Sequence, residues 1–451
     1  MLRSRRIAGS LSLAAGALAV TVTGFAGPAL AAPAALAAGA KAGPVSTDPA
    51  RGTPQLAPRP SGATEQVRQL VKCGKMMYAV GRFKDIRWNS RTWVRSNAFS
   101  FRATSPFTMS DWKPDVDGPV NSIAFDGSDC YSAYLGGKFT SVHGESATNI
   151  AKVSTTTGRL RTGFARDANG QVETLVVHDG HVLAGGFFTS INGGPSYYAS
   201  LNHRTGDYDG YLSLGISGHY KYSGVAYNPT RVYNQQVSPS GFRLLAEGDF
   251  TSVGGRHREQ IVMLRLGSTQ ATVTKWHSPE FDRHCSDSEP FYVREAAWAP
   301  DSRRIYLADT GDHPLGLSGG GKRYGLFDAA AAFPVTEKKV RREWINYTGC
   351  DSLYSAAATS STAYFGGHER WADNRHGCNY KGWHAVDAQG MVGLSVSNGG
   401  VMWNPTRSQG LGADDMLVTS RGLWIASDNY GSVAEKCAHH AHTGICFMPY
   451  E

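Results

Sequence analysis

Short runs of alternating hydrophobic and polar residues recur along most of the chain, and each run is broken by Gly, Asp, Asn or Ser. A period of two is that of a half-buried β-strand, whose successive side chains point to opposite faces. Val120 to Phe125 reads as such a strand. Asp126-Gly127-Ser128-Asp129 is then a tight turn, and Cys130 to Phe139 returns. Val172 to Val177, the turn His178-Asp179-Gly180 and His181 to Phe188 repeat the arrangement. Asp-Gly between alternating runs is a hairpin signal. Asn149 to Ser154 and the Thr157-Gly158 turn predict further strands in the same unit. Helical periodicity is nearly absent; the Ala-rich stretch Asp328 to Phe333 is a short exception.

One pattern marks every unit: an apolar pair, two small residues, a variable residue and an aromatic followed by a polar turn. Its clear copies include Ala79-Val80-Gly81-Arg82-Phe83, Leu135-Gly136-Gly137-Lys138-Phe139, Ala184-Gly185-Gly186-Phe187-Phe188 and Ala246-Glu247-Gly248-Asp249-Phe250. Degenerate copies follow at Tyr306 to Asp309, Tyr364 to Gly367 and Trp424 to Ser427. The aromatic slot falls at positions 83, 139, 188, 250, 311, 369 and 429, a period near 60 residues. Such a period signals a propeller or a solenoid. Four antiparallel strands per unit favour the radial arrangement, because a closed circle protects sheet edges. The predicted fold is all-β: a seven-bladed β-propeller of four-stranded antiparallel blades, closed by N- and C-terminal strands. Trp112-Lys113-Pro114 and Trp403-Asn404-Pro405 read as outer strands, with Trp276 to Pro279 as a looser version. The last unit stops after three strands, at Gly444 to Tyr450, so residues near 54–62 are expected to supply its fourth.

The Gly-Gly-x-Phe-Thr-Ser-Val units, Trp-x-Pro segments and Thr-Gly turns resemble the delta-sixty-repeat class of secreted bacterial β-propellers. The resemblance spans about Thr64 to Tyr450 and is most specific in the first four units. It implies the fold and an extracellular setting. It carries over no catalytic residue, and propellers in general host enzymes, lectins and scaffolds alike.

The N-terminus agrees with that setting. Arg3, Arg5 and Arg6 precede the apolar stretch Ile7 to Gly24, and Ala29-Leu30-Ala31 has the form of a cleavage site, so residues 1–31 read as a signal peptide. The twin-arginine route is disfavoured by the small Ala8. Residues 32–53 read as a flexible lead-in and 54–451 as the propeller. The formal charge of +8 falls to +5 without those three arginines. That surplus is too small and too dispersed to predict nucleic-acid binding. No later segment is long and apolar enough for a membrane span, and a monomer is expected. Seven cysteines in an exported chain predict disulfides. Cys73 and Cys130 occupy equivalent turns of consecutive units, Cys350 and Cys378 fall in loops of one face, and Cys437 and Cys446 bracket the corresponding loop of the last unit. Cys285 is left over.

Departures from the repeat concentrate in the last three units. At the ends of their second strands stand Asp309, Asp312 and His313, then His368, Glu369, Arg370 and Trp371, then Asp428 and Tyr430. Asp351, Asp414 and Asp415 start their first strands, which open on the same face. Three adjacent blades would thus direct acids, histidines and aromatics to one rim, and such coordinated departures mark function. Drift of exposed loops explains the same residues without a ligand. The first functional reading is a non-catalytic extracellular binding protein, with Trp371 and Tyr430 stacking on sugar rings of a polysaccharide and acids accepting hydroxyl protons; a protein ligand is the other partner class. The alternative is a secreted glycan hydrolase or lyase, with Glu369 and Asp312 or Asp415 as acid and base. A structural protein without ligand is the third. No cofactor is expected; Ca²⁺ is the ion that carboxylates near one axis would suit, although no EF-hand loop is present. His439-His440-Ala441-His442 offers imidazoles for Zn²⁺ or Cu²⁺, against the plainer reading of a polar surface loop.

Overall fold

The computed structural model describes residues 43–58, 64–219, 229–282, 291–311, 325–405, 412–429 and 436–451, and holds no helix among them. Among the described residues, seven principal antiparallel sheets follow one another along the chain. Their inner strands are Gln66–Cys73, Val120–Asp126, Gln171–His178, Arg231–Val237, Phe291–Trp298, Leu353–Ala358 and Asp415–Thr419. Each returns through a tight turn into a second strand and then a third. Even the Ala-rich run is a strand, Ala329–Pro334, the third of sheet five. Its alanines pack between neighbouring strands, so tertiary burial overrides their helical propensity.

The expectation of four equal strands in every unit needs correction. Sheets four, five and six have a fourth strand, at Ala271–Val273, Trp344–Tyr347 and Val401–Trp403. In the first three sheets the corresponding segment is reduced to single bridges, Phe101 to Met109, Val153 to Leu160 and Leu201 to Tyr208. A buried indole anchors the outer segment in several units. Trp112 Nε1 donates to Ser154 O at 3.0 Å, Trp276 Nε1 to Pro334 O at 3.0 Å and Trp344 Nε1 to Val396 O at 3.1 Å. Each acceptor belongs to the next sheet, so the outer segment is held by a side chain where a ladder is short.

The strand beside the C-terminus also differs from expectation. Ser46 N donates to Pro449 O at 2.8 Å and Ala50 N to Phe447 O at 2.9 Å, so residues 46–50 flank Ile445–Pro449. Gln55 and Leu56 instead pair with Arg87 and Ile86. Apolar contacts select this register: Val45 is buried with Trp403 and Met448. Trp403 Nε1 donates to Ser46 O at 3.2 Å, the same indole lock as in the other units.

Each inner strand packs against the inner strand of the next sheet, and the last packs against the first. The sheets are therefore neighbours in cyclic order. At the junction of last and first, Val67 N donates to Ser427 O at 2.9 Å and Leu70 N to Asp415 Oδ2 at 2.7 Å. Similar bonds cross other junctions. Ile123 N donates to Gln69 Oε1 at 2.7 Å, Leu175 N to Ser122 Oγ at 3.0 Å and Ala356 N to Glu295 Oε2 at 3.2 Å. Hydrophobic clusters fill the space between adjacent sheets, such as Tyr78, Val80, Ile123 and Leu135 between the first and second.

Disulfides join Cys73 to Cys130, Cys350 to Cys378 and Cys437 to Cys446, the three expected pairs. Cys285 lies outside the described residues.

Candidate functional site

Six inner strands carry a β-bulge at one equivalent position, between Val67 and Gln69, Val120 and Ser122, Val172 and Thr174, Val232 and Asn234, Val293 and Glu295, and Leu353 and Ser355. In the seventh sheet Ala426 opposes both Asp414, whose N–H it accepts, and Asp415. A bulge frees one residue from the ladder and re-aims its side chain. The freed residues are Arg68, Asn121, Glu173, Tyr233, Arg294, Tyr354 and Asp414, one from each sheet, and several of them interact with the residue from the next sheet. Arg68 donates to Asn121, and Asn121 Nδ2 to Glu173 Oε2 at 3.2 Å. The Arg294 guanidinium lies 6.0 Å from the Tyr233 ring and 5.2 Å from the Tyr354 ring. Gln66 then links Asp414, at 2.8 Å, back to Arg68, at 2.9 Å. This polar circle was missed by strand-end reasoning, which reached only Asp414. The available signal was a polar or aromatic residue one place after a buried Val or Leu, recurring from unit to unit.

The sequence-predicted residues divide into three groups. Asp309, Glu369 and Asp428 are completely buried, so their carboxylates sit inside the fold instead of on its rim. Asp309 pairs with Val293 where Gly248 pairs with Val232 in the preceding sheet. At Gly248 a Cβ would meet Arg231 O at 2.1 Å, so the close approach in sheet four admits only glycine there. Burial, reinforced by the charge of Asp328, pushes the Asp309 carboxyl well above the usual range. Glu369 fills the slot that holds Phe83, Phe139, Phe188 and Phe250 elsewhere. Asp414 and Asp415 form the second group and are spent on closing the circle. Burial pushes Asp415 up to about 6, and burial followed by the charge of Asp415 pushes its neighbour Glu295 well up. Asp312, His313 and Tyr430 lie outside the described residues.

The third group comes together in sheet six. Asp351 accepts two charge-assisted bonds from Arg370, at 2.8 Å each, and a third from its backbone N–H at 3.0 Å. The same guanidinium lies 4.4 Å from the Trp371 ring centroid and donates to Asn379 Oδ1 at 3.1 Å. His368 Nδ1 is 3.0 Å from the Tyr354 hydroxyl. Asn379 belongs to the loop that the Cys350–Cys378 disulfide anchors. The buried Asn374 clamps that loop from within, accepting from Gly382 N at 2.8 Å and donating to Tyr380 O at 3.1 Å. On this clamped loop Trp383 is 80% and Tyr380 64% exposed. These two aromatics went unnoticed in the sequence because they stand outside the repeat; two aromatics beside a predicted disulfide cysteine were the signal.

Of the carboxylates offered for acid–base chemistry, Glu369 is enclosed and Asp415 receives Leu70 N, while Asp312 lies outside the described residues. In the histidine-rich tail, His439 Nε2 and His440 Nε2 each lie 3.4 Å from Asp48 Oδ1 at the surface. His442 turns inward to Thr53 Oγ1 at 2.8 Å, and burial lowers it to about 4.

No protein-family model and no curated protein sequence matches the chain. Among solved structures it is similar to the WD40 β-propeller domain of Doa1, at 15% identity and a TM-score of 0.43 over 84% of this chain and 95% of that one. It is also similar to the β-propeller domain of Cps50 (Swd1) from Myceliophteria thermophila, at 8% identity and a TM-score of 0.43 over 81% of this chain and 96% of that one.

Proposed function

We propose that this chain is an exported seven-bladed β-propeller of the delta-sixty-repeat class that binds polysaccharide without catalysis, using the face that carries Trp371, Tyr380 and Trp383. The carrying observation is the pair of exposed rings on a loop held by a disulfide and by Asn374. Large aromatics left in water on an ordered loop form a preorganised surface that loses little entropy on binding. Sugar rings present flat C–H faces that stack on such rings, while hydroxyls bond to polar groups at the edge. Arg370, Asn379 and Lys381 supply that edge. Three disulfides support an oxidising compartment, in keeping with the export reading of residues 1–31. Cyclic contact among seven sheets supports the propeller reading. The enclosure of Glu369 and the use of Asp415 in ring closure favour binding over hydrolysis.

A glycan array probed with the mature protein tests the reading. Retention of one class of polysaccharide is expected, weakened about tenfold or more by Trp383→Ala. A wild type that retains no glycan, or a Trp383→Ala variant that binds equally well, defeats it.

A further inference from the structure

Ligand atoms of three side chains, His257, Glu259 and Asp282, lie within 4.8 Å of one another beside sheet four, and His277 backs them. His257 ends the short ribbon Arg256–His257. Glu259 follows in the turn before Ile261–Leu266. His277 and Asp282 come from the connection that leaves sheet four after Ala271–Val273. Asp282 addresses both imidazoles: its Oδ1 is 3.2 Å from His257 Nε2 and its Oδ2 is 3.5 Å from His277 Nε2. Glu259 Oε1 is 3.6 Å from His257 Nε2.

The geometry points to a zinc site made by His257, Asp282 and Glu259, with His277 on the other oxygen of Asp282 orienting that carboxylate. Zn²⁺ holds imidazole nitrogen and carboxylate oxygen at about 2.0–2.2 Å in a tetrahedron, which places neighbouring ligand atoms about 3.3–3.5 Å apart. The separations of His257 Nε2 from Asp282 Oδ1 and Glu259 Oε1, 3.2 and 3.6 Å, bracket that edge length. Direction agrees with distance. Asp282 Oδ1 is buried yet accepts no hydrogen bond among the described residues, although His257 Nε2 is 3.2 Å from it. In a hydrogen-bonded pair the N–H would aim at the oxygen. Around a metal both lone pairs aim at a common point and the two atoms lie side by side. One imidazole with two carboxylates gives zinc three protein ligands and leaves a fourth position for water; calcium prefers an all-oxygen shell.

The surrounding residues preorganise the cluster. Arg258 spans its two segments, donating to His257 O at 2.7 Å and Thr274 O at 2.8 Å. That guanidinium is thereby used on carbonyls. Val340 N holds His277 O at 2.8 Å, and Trp276, next to His277, is fully buried. Bound zinc would tie the connection between sheets four and five to the His257 ribbon, a cross-link where the described residues have no disulfide.

The test is a calorimetric titration of ZnCl₂ into the mature chain carrying His439→Ala and His440→Ala, which removes the competing surface pair beside Asp48. One equivalent is expected to bind and to raise Tm. Adding His257→Ala, at an exposed position that leaves the metal-free Tm unchanged, should weaken binding at least about 100-fold and remove the Tm rise; Asp282→Asn should do the same. Co²⁺ in place of zinc should give the intense visible absorption of a four-coordinate centre. Absence of saturable zinc binding in the parent, unchanged binding after His257→Ala, or preference for CaCl₂ over ZnCl₂ would overturn the assignment.

Discussion

Glu247 stands on the second strand of sheet four, and its Oε1 is buried with no hydrogen-bond partner among the described residues. Burial pushes its carboxyl up to about 8 from an ordinary 4.5, and burial pushes Asp249 up to about 7. A carboxyl raised by folding is stabilised in its neutral form. Its contribution is full below the unfolded value and is lost as pH rises through the folded one. His442 has the opposite sign: lowered to about 4 by burial, it withdraws stability as pH falls below about 6.5. Tm should therefore climb as pH is lowered from about 8 towards 4.5, with His442 offsetting part of the gain below about 6.5. Glu247→Gln should raise Tm at the alkaline end and flatten that limb in thermal scans; an unaltered limb would assign the dependence elsewhere. Asp309 and Glu369 were legible as departures from the repeat. Their burial was not legible, because one sequence records that a glycine or phenylalanine slot holds an acid without recording which way the acid faces.

At the scale of elements, the C-terminal strand closes the last sheet. Phe447 stacks on Trp424 at 4.3 Å between ring centroids, and Phe447 O receives Ala50 N. Deleting Phe447 to Glu451 removes this packing together with three of the five residue pairs to Gly422–Ala426. Loss of a buried Phe alone costs about 3–5 kcal/mol, so Tm should fall by well over 10 °C at the few degrees per kcal/mol of a large domain. A melt within a degree of wild type would refute the closing role. The strand was legible from its alternation. Its partner was placed too late in the sequence, near 54–62, because proline-rich composition mimicked the Trp-x-Pro segments. What selects residues 46–50 is Val45 buried against Trp403 and Met448, a contact between residues hundreds of positions apart.

At the scale of the whole molecule, every principal sheet has two neighbours, so the array has no terminal unit at which fraying can start. A linear repeat array melts in steps when its units are only nearest-neighbour coupled. Cyclic contact instead couples each sheet to all others, and bonds such as Leu70 N to Asp415 Oδ2 make the last junction like the rest. Thermal unfolding with disulfides intact should be one transition, coincident by near-UV circular dichroism, far-UV circular dichroism and calorimetry. Separate transitions would show that the junction between last and first sheets is open.

The repeat period, strand alternation and hairpin turns were determined by the order of residues, because each is a local pattern; the cysteine pairs were expected from blade topology and decided by the fold. The polar circle, the enclosure of Asp309 and Glu369, the clamped Tyr380–Trp383 loop and the His257–Asp282 cluster were decided only in three dimensions. Each depends on which side chains converge from separate units, and packing of whole sheets sets that convergence.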